Sequence, residues 1–374
     1  MSATLGDVVA ALEQLYPPVL AEPWDAVGLV AGDPGAKVER VLFAVDPVEV
    51  VAEEALAGDH QLLVTHHPLW LGGTTSVAAA DPKGRVAHAL VSGGCGLLVA
   101  HTNADRAHPG GVSDVLASLF DLRDPTPLEA SPEPVDKLVF FVPVADAERV
   151  TSAVTAAGGG RIGAYDSCTW STTGTGTFRP LQGASPAVGS VGRLASVEEA
   201  RVETVLPRAA RAAVVRALLE AHPYETPAYD VLELVPLPSP RGMGRVGDLP
   251  AAMPLGDLVA RAAEVLPATA WGLRAAGDPA AMIGRLAVMG GSGGDAMGLA
   301  AAAGAQAFLT SDLKHHNASD RPEGLALVDA AHWATEQPWV AAAASALTRV
   351  MDVATFASTT CTDPWTTASR SPHR

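Results

Sequence analysis

Histidine and carboxylate side chains follow three short apolar runs, each with the length and composition of a buried β-strand. The three groups are His66-His67, His101 with Asp105, and His332 with Glu336. In an open α/β sheet, ligands bind beyond the carboxyl ends of the strands, which is where all three groups fall. Imidazole nitrogens combined with carboxylate oxygens suit zinc, iron, manganese or nickel. The pattern therefore predicts a site for divalent metal.

Each group also has a purely structural explanation. Neighbouring residues of a strand point to opposite faces, so His66 and His67 can share one site only if the chain turns, as Pro68 suggests. One of the two histidines is equally well explained as a hydrogen-bonded core residue. Asp105 could cap a helix or form a turn, and His101 could orient Asp105 instead of binding metal.

The spacing of His332 and Glu336 places both side chains on one helical face, provided that one helix contains both. Pro338 instead predicts that the helix begins near Thr335 or Glu336, because proline is favoured in the first turn. Glu336 would then lie at a helix N-terminus, where a carboxylate interacts favourably with the backbone dipole. That alternative requires no metal.

Three further motifs lie next to predicted strands. His315-His316, after Thr310-Ser-Asp312, could line the same cleft or form an exposed polar turn, and neither interpretation is favoured. Met289–Asp295 contains four glycines and partly matches a dinucleotide-binding fingerprint. A tight turn or a small anion cradle is favoured there over NAD binding. His222-Pro-Tyr-Glu225 predicts a structural turn.

Strands alternate with helices in the first and last thirds of the chain, which predicts an α/β host domain of two parallel or mixed sheets with flanking helices. We assign residues 1–125 and 241–365 to the two halves of this domain. Residues 137–235 follow the order β-α-β-β-α-β, which predicts an inserted ferredoxin-like α+β domain. Residues 121–136 and 236–240 are predicted linkers, and the tail after Thr359 is predicted to fray.

The composition excludes several classes of partner. The net charge of −16, from 41 acidic and 25 basic residues, argues against a general nucleic-acid or anionic-membrane binder. A small phosphorylated substrate stays compatible, because a bound metal can invert the local field. The three cysteines form no CxxC pair, and neither a signal peptide nor a membrane span is visible. We expect a cytoplasmic protein.

Six motifs occur together in an order that resembles the NIF-three-like dinuclear-metal family, whose members are also labelled GTP cyclohydrolase I type 2 homologues. The motifs are Trp24-Asp25-Ala-Val-Gly28-Leu29, Thr65-His-His-Pro68, His101-Thr-Asn-Ala-Asp105, Gly110-Gly111-Val-Ser-Asp114, Thr310-Ser-Asp312 and His332-Trp-Ala-Thr-Glu336. The resemblance covers roughly residues 4–120 and 241–365. Ala26, Ser311 and Ala331 depart from the family pattern, but none of them is an expected ligand.

The resemblance implies two divalent metal ions per chain. Their ligands would be His66, His67, Asp105, His332 and Glu336, with Glu336 bridging both ions. It also implies a toroidal homohexamer whose sites face an internal cavity, and an insert similar to the PII and CutA folds.

Five protein ligands for two ions leave open coordination positions, as catalytic sites do. Two metals about 4 Å apart can lower the pKa of a shared water toward neutrality. We therefore expect a metal-dependent hydrolase acting on a nucleotide or phosphoester, GTP cyclohydrolase-type chemistry included, with His101 or His316 as a proton shuttle. The alternative is a non-catalytic metal-binding or regulatory hexamer, so whether the protein is an enzyme stays open.

Overall fold

A computed structural model describes residues 3–236 and 239–369. The chain divides into two compact units. The outer unit contains residues up to Ser131 and from Pro240 onward, and the inserted unit contains Pro132–Ser239. Leu237 and Pro238, part of the expected second linker, lie outside the described residues.

The first segment of the outer unit alternates strands and helices, as expected. Its strands are β1 (Gly28–Ala31), β2 (Arg40–Ala44), β3 (Leu62–Thr65), β4 (Gly96–Val99), β5 (Arg123–Thr126) and β6 (Glu129–Ala130). Its helices are α1 (Leu5–Leu15), α2 (Glu49–Ala57), α3 (Pro82–Ser92), α4 (Thr102–Arg106) and α5 (Val112–Leu119). α1 begins with a capping box in which Thr4 and Asp7 bond each other's backbone N–H. The apolar face of α1 is buried, which confirms the predicted helix.

The inserted unit is built on one antiparallel sheet. Its elements are β7 (Val135–Pro143), α6 (Ala147–Ala156), β8 (Thr169–Phe178), β9 (Ala195–Pro207), α7 (Arg211–Ala221) and β10 (Tyr229–Glu233). The strands lie in the order β10-β7-β9-β8, and every neighbouring pair is antiparallel. Apolar side chains of β7 and β9 pack against both helices. Element order and strand order are those of the ferredoxin-like fold.

The last segment of the outer unit resumes the alternation. Its strands are β11 (Gly242–Met243), β12 (Arg245–Pro254), β13 (Arg274–Ala276), β14 (Met282–Ser292), β15 (Ala307–Ser311), β16 (Ala326–Ala330) and β17 (Ala354–Ala357). Its helices are α8 (Leu255–Val265), α9 (Met297–Ala302), α10 (His315–Ser319) and α11 (His332–Val350). Among the described residues, no helix combines the length and the apolar character needed to cross a bilayer.

Two larger sheets organise the outer unit. The first has the order β1-β4-β3-β2-β17, and its strands run parallel except for β1. The second has the order β13-β16-β15-β14-β12-β5, with a parallel centre of β14, β15 and β16 and antiparallel pairing outside it. Both sheets are therefore mixed, with parallel strands at their centres. α11 packs against strands of both sheets, and its Trp339 is fully buried.

Three expectations are wrong, and they concern the first linker, the tail after Thr359 and the start of α11. Part of the first predicted linker forms β5, which pairs with β12 at a sheet edge, where Pro125 is tolerated because it need not donate to a neighbour. β6, from the same segment, pairs with β11. The predicted fraying after Thr359 does not occur in the first residues of the tail, because Thr360 and Thr362 donate hydrogen bonds to Glu54 and Asp46.

The third error concerns the start of α11, which begins at His332 and not near Thr335 or Glu336. Pro338 therefore lies inside the helix, a position that costs about 3 kcal/mol in an exposed helix. The first turns bury an almost continuous set of side chains, among them both tryptophans, Trp333 and Trp339. Tertiary burial thus outweighs the local preference of proline for a first turn.

Candidate metal centre

The parallel centres of both sheets end in polar residues. His66 and His67 directly follow β3. Their backbone N–H groups donate hydrogen bonds to the carbonyl oxygens of Ala44, the last residue of β2, and of Val45, which follows it. The Thr65 hydroxyl donates to the His67 carbonyl oxygen at 2.8 Å, which closes a turn at this point. The two imidazoles consequently lie near each other, with ring centroids 5.2 Å apart. The turn anticipated from Pro68 is present.

Glu336 is the point at which the expected ligands meet. Its Oε1 lies 2.9 Å from His332 Nε2 and 3.5 Å from His66 Nε2. Its Oε2 lies 3.0 Å from His67 Nε2. Asp105, on the short helix α4, has its Oδ1 3.7 Å from His66 Nε2. The structure thus brings together all five residues that the resemblance implies as ligands.

The spacing and the burial of these atoms fit divalent metal. Because bonds from zinc to nitrogen or oxygen are about 2.0–2.2 Å long, two ligands of one ion lie roughly 3–4 Å apart. Three ligand atoms are buried and make no hydrogen bond of acceptable geometry within the described part of the chain, namely His66 Nε2, Asp105 Oδ1 and Glu336 Oε2, the last of these although His67 Nε2 lies 3.0 Å away. Such orphaned atoms are rare in folded proteins, and a cation would satisfy all three.

Each imidazole is oriented through its other nitrogen. The Nδ1 partners are Ala100 O for His66 (2.9 Å), Asp46 Oδ1 for His67 (2.7 Å), Asp25 Oδ1 for His101 (2.9 Å) and Asp312 Oδ2 for His332 (2.7 Å). With Nδ1 engaged as a donor, Nε2 of the neutral ring has the lone pair that can bind a cation. Four rings are thereby prepared as Nε2 ligands or bases.

His101 lies in the cluster itself and hydrogen-bonds Asp25, not Asp105 as one interpretation proposed. Its ring is 5.2 Å from His66 and 5.6 Å from His67. Ligand atoms of these three histidines lie within 4.8 Å of one another. The expectation that His101 orients Asp105 is therefore replaced by a direct position in the site.

The charges of the cluster shift every pKa in it. Burial opposes ionisation of Glu336, but the surrounding imidazoles outweigh burial and hold its pKa well below the ordinary value. Burial favours neutral His332, but Glu336 and Asp312 raise its pKa to about 10. The same competition raises the pKa of His66 and, more strongly, of His67. Burial raises the pKa of Asp105 to about 6. The carboxylates thus create a field that attracts cations.

The glycine-rich segment Met289–Asp295, which contains the last residues of β14, lies against the cluster. A Cβ at Gly291, which has φ +65°, would lie 2.5 Å from Glu336 Oε1 and 3.1 Å from His332 Nε2. The Gly291 N–H donates to Thr335 Oγ1 at 2.9 Å. These glycines permit the backbone to approach the carboxylate closely, a function that needs no dinucleotide.

A cavity of about 430 Å³ adjoins the cluster and has His67 and His332 in its wall. Trp271 and Trp365 form its aromatic side, with ring centroids 5.8 Å apart. The Arg274 guanidinium lies over Trp271 at 4.8 Å and forms an ion pair with Asp329. The volume is in the range of pockets that hold small molecules. His315 and His316 are exposed on α10 outside the cluster.

The outer unit thus combines a mixed α/β fold with a buried histidine and carboxylate cluster suited to divalent cations. The chain belongs to the Duf34/NIF3 (NGG1p interacting factor 3) family, whose model matches residues 3–364. This result confirms the resemblance found from the motifs.

Similar proteins extend over nearly the whole chain. A Mycobacterium leprae protein named GTP cyclohydrolase 1 type 2 homolog is 47% identical and covers 99% of this chain and 97% of its own. A Mycobacterium tuberculosis protein of the same name is 48% identical, with coverage of 98% and 97%. The crystal structure of a Bacillus cereus protein related to NIF3 has a TM-score of 0.84 at 32% identity, covering 98% of this chain and all of its own.

Proposed function

We propose that this chain binds two divalent metal ions and is a metal-dependent hydrolase acting on a nucleotide or phosphoester. His66, His67, Asp105, His332 and Glu336 would hold the ions, and Glu336 would be the ligand that both ions share. The observation that carries the proposal is the buried cluster around Glu336, in which His66 Nε2, Asp105 Oδ1 and Glu336 Oε2 make no hydrogen bond of acceptable geometry. The imidazoles of His66, His67 and His332 are each oriented through Nδ1. A structural role alone would leave the three buried atoms desolvated at a cost.

Divalent ions held there would supply Lewis-acid activation of water and of a substrate oxygen. The residues of the chain contribute orientation. Glu336 presents one oxygen to His332 and the other to His67, which is the arrangement that a bridging carboxylate requires. Asp46 and Asp312 hold the two imidazoles from behind, so neither ring can rotate freely.

His101 is the residue we assign to proton transfer. Burial, with the charge of His66, lowers the pKa of His101 below its ordinary value, although Asp25 opposes the shift. The ring is therefore neutral near neutral pH. Asp25 accepts a hydrogen bond from His101 Nδ1–H, so Nε2 can take a proton from an attacking water and return it to the leaving group.

The substrate would occupy the cavity beside His67 and His332. Arg274 provides positive charge for an anionic group, and Trp271 and Trp365 provide an aromatic surface for a ring. The name of the mycobacterial relatives makes hydrolytic opening of GTP one of the activities to assay.

Elemental analysis combined with turnover assays tests the proposal. Purified protein should contain about two divalent ions per chain, and His67→Ala should lose metal and activity together. GTP and bis-p-nitrophenyl phosphate are suitable substrates, and Glu53→Gln, at an exposed position of α2, is the matched surface control. Metal content unchanged by His67→Ala would contradict the ligand assignment.

The second candidate is a non-catalytic metal-binding or regulatory oligomer. The inserted unit favours this second candidate, because the unit has a cavity of its own. Glu336→Gln distinguishes the two functions. If the parent protein shows no turnover of either substrate while Glu336→Gln still abolishes metal binding, the regulatory candidate is supported.

The remaining assignments are part of the same proposal. We propose a homohexamer with its sites facing an internal cavity, which light scattering of the purified protein would test. We propose that the units correspond to the domains 1–125 with 241–365 and 137–235, and that the insert is PII/CutA-like, as its strand order supports. The sparse cysteines support a cytoplasmic location.

A further inference from the structure

The inserted unit contains a cavity of about 290 Å³ at one end of its sheet. Strands β7, β8 and β9 form its floor, the 179–188 loop forms one wall, and the turn after α7 forms another. Nothing in the metal centre accounts for this cavity, since every residue that lines it belongs to Pro132–Ser239.

The turn after α7 is held rigidly by His222. This histidine is buried, and its Nε2–H donates to the Phe141 carbonyl oxygen at 2.9 Å. Its Nδ1 accepts the Tyr224 backbone N–H at 3.0 Å, which assigns the tautomer. The predicted structural turn is therefore present. It also presents the side chains of Tyr224 and Glu225 to the cavity.

The Glu199 carboxylate lies in this cavity, in space that is free because residue 176 is a glycine. The Tyr224 hydroxyl donates to Glu199 Oε1 at 2.9 Å. A Cβ on Gly176 would lie only 2.0 Å from Glu199 Oε2, so the carboxylate occupies the space that a side chain at 176 would fill. Glu225 supplies a second carboxylate, which accepts the Ser185 N–H at 3.1 and 3.2 Å.

The rest of the lining is mainly apolar and aromatic. Phe178 and Tyr224 meet edge to face with ring centroids 5.6 Å apart, and Phe141, Pro180, Pro186 and Val188 complete the walls. Arg179 is exposed at the edge, so the lining carries two carboxylates and one cation. Carboxylates can only accept hydrogen bonds, and aromatic faces attract cations.

We propose that this cavity binds a small organic cation, an ammonium group attached to an apolar body. The ammonium donates to Glu199 and Glu225, and the body packs against Phe141, Phe178 and Tyr224. A neutral or anionic molecule of the same shape would lack the positive charge that complements the two carboxylates, so it would bind more weakly. The site is separate from the metal ligands, so it would report the presence of an amine to the protein independently of any hydrolysis.

Isothermal titration of the full-length protein tests this site. Phenethylammonium at neutral pH is the cationic probe, and phenethyl alcohol is its neutral match. We expect the cation to bind at least about tenfold more tightly than the alcohol, the size of one charge-assisted hydrogen bond. Glu199→Gln should remove that difference, and Glu198→Gln, at the exposed neighbouring position, should leave it unchanged.

Gly176→Ala provides a second variant that keeps every charge. Its Cβ would displace the Glu199 carboxylate, so binding of the cation should weaken by about tenfold, provided that circular dichroism shows a folded protein. Equal affinity for cation and alcohol would overturn the proposal. So would equal effects of Glu198→Gln and Glu199→Gln, or a change of oligomeric state in Glu199→Gln without any binding of the probe.

Discussion

Glu336 Oε2 lies 3.0 Å from His67 Nε2, although the two residues come from the last and first thirds of the chain. His67 lies just beyond the end of β3 in one mixed sheet, and Glu336 lies in α11, which packs against both sheets. The site therefore exists only when the two segments of the outer unit have folded together. Replacing either residue should therefore reduce metal binding while the local secondary structure is kept.

Glu336→Gln is the sharpest single change. Glutamine preserves the shape of the side chain but removes the negative charge of the two oxygens, which lie close to three imidazoles. We expect the metal content to fall from about two ions per chain to less than one, because a bridging ligand serves both ions. Elemental analysis after dialysis measures this. The exposed Glu53→Gln should keep its full content, and normal metal in Glu336→Gln would refute a bridging role.

Metal affinity should increase with pH. The pKa of His332 is about 10 in the metal-free protein, so its imidazole is protonated at neutral pH. Metal needs the neutral ring and must displace that proton. Titration calorimetry in buffers of different ionisation enthalpy should show release of at least about one proton per chain. An enthalpy that does not depend on the buffer would contradict the expected linkage.

Without metal, the same protein should lose stability as pH rises. Imidazoles with raised pKa stabilise the fold fully below their ordinary value of 6.5, and this contribution is lost as pH rises through the folded pKa, about 10 for His332. Glu336, whose pKa is lowered, contributes above its ordinary value of 4.5 and opposes this trend only at lower pH. Melting temperatures in excess chelator should therefore fall from about pH 6.5 to about pH 10. His332→Gln should flatten that slope.

Asp46 is predicted to matter almost as much as a ligand. One of its carboxylate oxygens accepts a hydrogen bond from His67 Nδ1–H, and the other accepts one from the Thr362 hydroxyl. Asp46→Asn would leave His67 free to turn, and losses of this kind cost about 10–100-fold in metal affinity. Competition with a chromogenic chelator measures the change. Asp352→Asn, at an exposed position, is the control, and equal affinities of the two variants would exclude an orienting role.

Much of the site was accessible to sequence reasoning because its polar residues closely follow buried parallel strands, β3 and β4 in one sheet and β16 in the other. Each of the three predicted groups follows such a strand, and all five implied ligands meet in space. Sequence reasoning did not include Asp46 although it carries the same signal, since it closely follows β2. The patterning of the inserted unit likewise predicted its element order, because β7, β9, α6 and α7 each bury apolar side chains in one core, although β8 is almost wholly exposed.

Other features depend on tertiary contacts that local patterns do not encode. The role of Gly291 follows from the approach of Glu336, which is distant in sequence. The start of α11 is decided by the burial of Trp339 and its neighbours, which outweighs the preference of Pro338. The ordered tail depends on hydrogen bonds to Glu54 and Asp46, far from it along the chain.

That tail supplies the final prediction. Trp365 is 60% exposed, yet it contacts Trp271 and lines the cavity beside the metal centre, so Trp365→Leu should leave the fold intact. Stacking on an aromatic side chain is worth about 1–3 kcal/mol for a nucleobase. We therefore expect binding of GTP, followed by titration calorimetry, to weaken by about tenfold. Ribose 5-phosphate, which lacks a base, should bind the variant and the parent protein equally. Trp170→Leu in the inserted unit controls for the loss of an exposed indole, and equal loss for both ligands would show that the aromatic side of the cavity does not recognise a ring.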